Sequence, residues 1–140
     1  MIGTLLIVAG LFLPWVSWEG VEGHHQAGSV FGLETLDGWV FLILGILGGS
    51  FSLKGKSGLS SGFIVFFGLL IFLGGILDFN NPIMFVPEKV TSLAQAREII
   101  STGWGLYVEL ASGFLILSSG IFSLIQKWRI GREVTPLPPY

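Results

Sequence analysis

Residues 37–78 read DGWVFLILGILGGSFSLKGKSGLSSGFIVFFGLLIFLGGILD, two long apolar runs joined by the short basic turn KGKSG at residues 54–58. Each run approaches the roughly 20 residues of α-helix that cross the hydrocarbon layer of a bilayer. Because irregular backbone in lipid leaves N–H and C=O groups without partners, such runs are expected to be helical. The stretch therefore predicts a membrane hairpin, with spans at about 37–53 and 59–77.

Two further apolar segments, at about 2–18 and 104–125, flank the hairpin. The chain has 140 residues, of which 51% are hydrophobic and 11% charged, with a mean hydropathy of +0.80. We expect an all-α membrane protein with four transmembrane helices in an antiparallel, left-handed bundle. Residues 1–126 would form this single domain, followed by a basic, Pro-rich tail at 127–140. The absence of cysteine excludes disulfides, thiolate metal sites and cysteine nucleophiles.

Charge distribution predicts the orientation. The basic side chains of the hairpin turn and of the segment after span four lie on one side of a four-span chain: Lys54, Lys56, Lys127, Arg129 and Arg132. The loop after span one carries only acidic charges. The positive-inside rule then predicts a multi-pass protein of the cell membrane with both termini in the cytoplasm.

Tryptophans mark the predicted membrane boundaries. Trp15, Trp18, Trp39 and Trp104 fall at the outer boundary and Trp128 at the inner one, as in an aromatic belt. The first segment has an alternative interpretation as a cleaved signal peptide, but it lacks a basic leading region and an A-x-A-like site. An uncleaved first span is therefore favoured.

Small residues recur at seven-residue steps, which predicts close helix packing in lipid. The predicted packing positions are Gly3, Gly10, Gly38, Gly45, Ser52, Gly68, Gly75, Gly105, Ser112 and Ser119, with Ser61 on the same stripe of span three and Gly49 completing a Gly-x-x-x-Gly motif with Gly45. The alternative is chance alignment, since the chain has 21 glycines.

The second outer loop contains PEKVTSLAQAREII at residues 87–100. Ser92 is a candidate N-cap for a short amphipathic helix with Leu93, Ala96, Ile99 and Ile100 on one face. That face is expected to lie on the membrane surface or on the bundle.

Glu109 is the one acidic residue well inside a predicted span. A carboxylate at this depth is costly, so it is a candidate proton or cation site, with Tyr107 nearby. The alternative is a neutral or hydrogen-bonded carboxyl that serves packing, and the lack of a second buried charge favours it. Asp37 and Asp78 lie at span ends, where solvation is expected.

The first outer loop holds a weaker candidate site. His24 and His25, with Glu22, are candidate metal ligands. Adjacent histidines on an extended loop point in opposite directions, and a transition-metal site needs three or four converging ligands. Solvated or partner-facing histidines are therefore favoured.

The layout resembles in outline the claudin-type four-span proteins, through its short cytoplasmic turn, two outer loops and the tryptophan-rich end of span one. The resemblance is one of topology. The first loop is short, and without cysteine it lacks their cysteine pair. It therefore implies no residue role and no activity here.

No catalytic or cofactor motif is present in the sequence, although bound lipid is expected. These features favour a non-catalytic accessory or structural subunit of a larger membrane complex. Its expected partners are the bilayer and other integral membrane subunits, not nucleic acid. The alternatives are an oligomeric transport module for ions or small solutes that uses Glu109, and a protein that handles a metal or cofactor through His24 and His25.

Overall fold

The computed structural model describes residues 2–19, 27–54, 58–86 and 100–133. Its helices are α1 (Ile2–Leu11), α2 (Leu36–Lys54), α3 (Gly58–Asn80) and α4 (Trp104–Glu133). Its strands are β1 (Pro14–Trp18), β2 (Gly28–Phe31) and β3 (Ile100–Thr102). Short 3₁₀ helices cover Gly32–Glu34 and Pro82–Phe85. The described chain is therefore mostly helical, with one small sheet.

Three of the helices are long and apolar enough to cross a membrane, namely α2, α3 and α4. No more than 28% of each apolar window is buried within the molecule, so large apolar side chains face outward along all three helices. Soluble proteins rarely expose apolar surface on this scale. The helices thus suggest a membrane-embedded protein. Helix α1 is also apolar but has only 10 residues.

The four helices pack in a ring, in which α1 contacts α2 and α4, and α3 contacts the same two helices. The sheet lies where α1 and α3 end and where α2 and α4 begin. We call this the sheet end. The opposite end, near Lys127 and Arg129, is the basic end.

Helix α1 ends at Leu11, seven residues before the predicted end of span one. Pro14 explains the difference, because it lacks an N–H and disfavours helical backbone at the residue before it. The following residues, Pro14–Trp18, form strand β1. This segment is rich in aromatic and β-branched side chains, which suit a strand.

The sheet was not predicted. Strand β1 is central and pairs antiparallel with both neighbours, so that Val16 faces Val30 of β2 and Thr102 of β3. Most of the predicted amphipathic helix, residues 87–99, lies outside the described chain. Ile100, which was expected on its apolar face, belongs to β3.

Helix α4 is 30 residues long and continues past the predicted span to Glu133. The basic part of the predicted tail, residues 127–133, is therefore helical. Residues 134–140 lie outside the described chain.

Small residues lie where the helices approach most closely. A Cβ atom added to Gly3 would lie 2.6 Å from Ile116 Cγ1, and one added to Gly68 would lie 2.5 Å from the Leu117 backbone nitrogen. The predicted α4 positions Gly105 and Ser112 lie against α1 and β1. A neighbouring pair, Gly113 and Gly120, meets α3 and was missed by the sequence analysis.

Further predicted positions make similar contacts. An added Cβ would meet another element at Gly10, Gly38, Gly45, Gly49 and Gly75. Ser52 and Ser119 line a cleft nearer the basic end. Ser61 lies against α4, where its hydroxyl is 2.8 Å from that of Ser123.

Candidate functional site

Glu109 lies in the second turn of α4 and is fully buried, at 0% exposure. Among the described residues, neither carboxyl oxygen has a hydrogen-bond partner. The side chain fits over Gly10 of α1, where an added Cβ would lie 3.4 Å from Glu109 Oε2. The absence of a side chain at Gly10 thus provides space for a carboxyl group in the core.

Asp78, near the end of α3, is the second buried acid. It is 7% exposed, and its Oδ2 atom also has no hydrogen-bond partner. Its charge interacts with those of Glu109 and Asp37. Asp78 was expected to be solvated, and the antiparallel packing of α3 on α4 buries it instead. The sequence signal for this burial was that Asp78 and Glu109 lie at similar distances from the sheet end.

Within the described chain, no basic group faces the carboxyl pair. Helix α1 and strands β1 and β3 contain no titratable side chain, α3 contributes Asp78, and α2 contributes Asp37 at its start. The basic side chains Lys127 and Arg129 lie at the opposite end of α4. Among the described residues, the titratable groups near the pair are therefore acidic.

Trp15 of β1 covers this region from the sheet end. It is fully buried at 0% exposure, and its indole contacts Phe41 and Phe85, with ring centroids 6.0 Å and 5.6 Å away. A side chain at Gly105, one turn before Glu109, would overlap the indole. Trp15 was predicted to anchor the protein at the membrane interface, but it lies in the core.

Tyr107 does not complete the site. Its ring packs against Phe79 and Trp104, with centroid distances of 5.2 Å and 5.8 Å, and the side chain is exposed. Since the Glu109 oxygens have no partner, the Tyr107 hydroxyl is not bonded to them.

The other predicted tryptophans differ from Trp15. Trp39 and Trp104 are exposed near the sheet end, Trp128 is exposed near the basic end, and Trp18 in β1 is partly buried. The indole nitrogen of Trp39 donates a hydrogen bond to the Leu33 carbonyl at 3.1 Å.

The candidate metal ligands Glu22, His24 and His25 lie outside the described residues. Among the residues that are described, no group of three or more His, Cys, Asp or Glu side chains has the arrangement of a metal site.

A separate polar cluster lies between α3 and α4 near the basic end. Lys127 Nζ donates to Ser61 Oγ at 2.6 Å, and Ser61 Oγ is 2.8 Å from Ser123 Oγ. The sequence analysis assigned Lys127 only to the basic tail. The four-residue step from Ser123 to Lys127 was the available signal, because it places both on one face of a helix.

Comparison with known proteins adds no family assignment, since no protein-family model, curated protein or solved structure matches this chain.

Proposed function

We propose that this chain is a non-catalytic, four-span membrane protein that binds protons at Glu109 and Asp78 and so responds to pH at the sheet end. The observation that carries the proposal is the complete burial of Glu109 without a partner for either carboxyl oxygen. Burying an ionised carboxylate without a counter-charge costs several kcal/mol, on the order of that found for other buried ions. The neutral, protonated form suits this packing.

A second buried carboxyl strengthens this proposal over a purely structural role. Asp78 and Glu109 interact electrostatically, so loss of a proton from one opposes its loss from the other. A proton is the ion that fits, since the unpartnered oxygens have almost no accessible surface. A hydrated cation would require the helices to move apart.

Protons would reach the pair from the sheet end, where Asp37 is partly exposed at the start of α2. Between the pair and the basic end, the described core includes the apolar side chains of Ile7, Ile71 and Ile116. The Ser112 hydroxyl there is bonded to the Val108 carbonyl of its own helix. A sensor open to one side is therefore favoured over a proton-conducting path through one protomer.

The proposed topology has four crossings, with the basic end in the cytoplasm of a cell-membrane protein. The apolar helix α1 supports it, because its Gly3 and Thr4 lie beside Ile116 and Gly49 in the half of the bundle nearer the basic end. Lys127 and Arg129 supply the positive charge expected on the cytoplasmic side.

Infrared spectroscopy of the reconstituted protein tests proton binding directly, since a protonated carboxyl absorbs apart from an ionised one. We expect a protonated-carboxyl band at neutral pH that is lost in Glu109→Gln, and a second contribution that grows at mildly acidic pH and is lost in Asp78→Asn. The control Glu19→Gln changes an exposed acid at the sheet end and should leave the band unchanged. A band insensitive to both core substitutions would refute the proposal.

A second candidate function is the accessory subunit of a membrane complex, favoured by an aromatic patch on α2 and α3. Phe51 stacks on Phe63 with ring centroids 4.8 Å apart, and Phe66 and Phe67 extend the patch. Phe63 and Phe66 are exposed, and rigid aromatic groups are common at protein interfaces.

Purification from native membranes in mild detergent tests that role. A stoichiometric membrane partner should copurify with the wild type and be lost in the double variant Phe63→Ala with Phe66→Ala. The matched control, Phe114→Ala with Phe122→Ala, truncates two exposed phenylalanines of α4 and should retain the partner. Recovery of the wild type alone would count against the subunit role.

A further inference from the structure

A cleft of about 410 Å³ opens among the four helices in the half of the molecule nearer the basic end. Its lining includes Thr4, Gly48, Ser52, Ile64 and Ser119. The volume falls within the range of about 300–1,000 Å³ that is typical of small-molecule sites. At this depth of a membrane-embedded bundle, the surrounding medium is acyl chains instead of water.

The cleft exists because small residues of α2 and α4 leave space beside α1. A Cβ added to Gly48 would meet its nearest atoms, in Ile116 and Phe67, only at 3.7 Å. At the neighbouring Gly49, by contrast, an added Cβ would lie 2.8 Å from Thr4 Oγ1. Helices α1 and α2 therefore touch at Gly49, whereas Gly48 leaves a small recess with room for about a methyl group, and both glycines line the cleft.

A cationic group lies beyond this cleft, toward the basic end. On α4, Lys127 follows the lining residue Ser119 by eight residues, with Ser123 midway between them. On α3, Ser61 precedes the lining residue Ile64 by three residues. The hydrogen bonds of Ser61 to Ser123 and Lys127 hold the ammonium group at this position.

This end of α4 carries a further basic side chain, the exposed Arg129. The sequence contains no acidic residue between Glu109 and Glu133 or between Asp37 and Asp78. The helices α2 and α4, which line the cleft, therefore bring more basic than acidic charge to the basic end.

We propose that the cleft binds one anionic phospholipid from the leaflet at the basic end, with an acyl chain beside Gly48 and Ser119 and the phosphate near Lys127. A basic group at a helix end next to an apolar recess is the arrangement that binds acidic lipid headgroups in other membrane proteins. The proposal depends on membrane insertion but not on proton binding by Glu109.

Native mass spectrometry of the purified protein in a neutral detergent tests the proposal, with added dioleoylphosphatidylglycerol or dioleoylphosphatidylcholine as probes. We expect the wild type to retain one phosphatidylglycerol, at least tenfold in preference to phosphatidylcholine. Ser119→Leu should abolish retention of both lipids by filling the cleft. Lys127→Gln should reduce the preference to about equal retention while one chain still binds.

The control Ala111→Leu introduces leucine, as Ser119→Leu does, but at an exposed position of α4. It should retain lipid like the wild type. Glycerol 3-phosphate should not compete, since it lacks an acyl chain. Gly48→Ala is a second, smaller filling variant and should weaken retention even if Ser119→Leu does not fold. The proposal would be overturned if the wild type, Gly48→Ala and any folded Ser119→Leu protein retained lipid equally. It would also be overturned if Lys127→Gln kept the preference for phosphatidylglycerol unchanged.

Discussion

The indole nitrogen of Trp15 donates a hydrogen bond to the carbonyl of Gly10 at 3.1 Å. In a continued α-helix, the donor to that carbonyl would be the backbone N–H of residue 14, and Pro14 has none. The carbonyl instead accepts a bond from the backbone N–H of Leu13 at 3.2 Å, and the Trp15 indole is a second donor to it. The backbone thus leaves α1 and enters β1 inside the core with this carbonyl paired, and Gly10 lies between Trp15 and Glu109.

The first prediction concerns this bond. Trp15→Phe keeps an aromatic ring but removes the N–H, so the free energy of unfolding should fall by about 0.5–1.5 kcal/mol, the net contribution of a typical hydrogen bond. The Gly10 carbonyl keeps its bond from the Leu13 N–H. Reversible unfolding in detergent micelles, followed by circular dichroism, measures the loss. Trp104→Phe is the control, since Trp104 is 74% exposed, and it should change stability by about 0.5 kcal/mol or less. Equal losses in the two variants would show that the Trp15 bond is not stabilising.

The second prediction compares two helical glycines. A Cβ at Gly113 would lie 2.7 Å from the Phe72 backbone nitrogen, whereas one at Gly62 would have no atom within 4 Å. Gly113→Ala should therefore destabilise the α3–α4 contact by about 1–3 kcal/mol, as overpacking does. Gly62→Ala should stabilise the protein by up to about 1 kcal/mol through helix propensity. The same unfolding assay measures both, and effects of the same sign would contradict the packing geometry.

The long helices could be predicted from sequence because the bilayer imposes one strong signal, a long apolar run. Helix α2 begins within one residue of the predicted start, and so does α3. The same signal misplaced the end of α1, since PWVSW at residues 14–18 carries no charge and directly continues the apolar run. Strand β3 has three residues and depends on β1, which lies more than 80 residues earlier, so no local pattern indicates it.

The candidate site could be predicted only in part. Glu109 was evident because a charge inside an apolar run is rare. Asp78 is on another helix. Only the alignment of α3 against α4 in the fold shows that the two acidic residues lie at a similar depth in the bundle. Tyr107 is close to Glu109 in sequence, but its position two residues earlier places it on a different face of the helix.

The third prediction concerns pH. If the folded core holds Glu109 neutral, stability is present while the carboxyl is protonated and falls as the pH rises and the group ionises. The thermal midpoint of the wild type should therefore decrease from acidic to alkaline pH. The free energy of unfolding should fall by up to about 3–5 kcal/mol, as expected for an uncompensated buried charge. Glu109→Gln should lack most of this dependence, and Glu19→Gln should retain it. A wild type whose stability rises with pH would contradict the assignment.

The fourth prediction concerns the number of crossings. Because the chain contains no cysteine, single cysteines can be introduced without further changes. Glu19 follows β1 and Ser101 is in β3, both at the sheet end. Glu19→Cys and Ser101→Cys should therefore react with a membrane-impermeant maleimide from outside intact cells. Ile2→Cys and Arg129→Cys should react only after permeabilisation, because four crossings bring both to the basic end. Reaction of Ile2→Cys from the same side as Glu19→Cys, with Arg129→Cys still protected, would mean that α1 does not cross the membrane and that the chain has three spans.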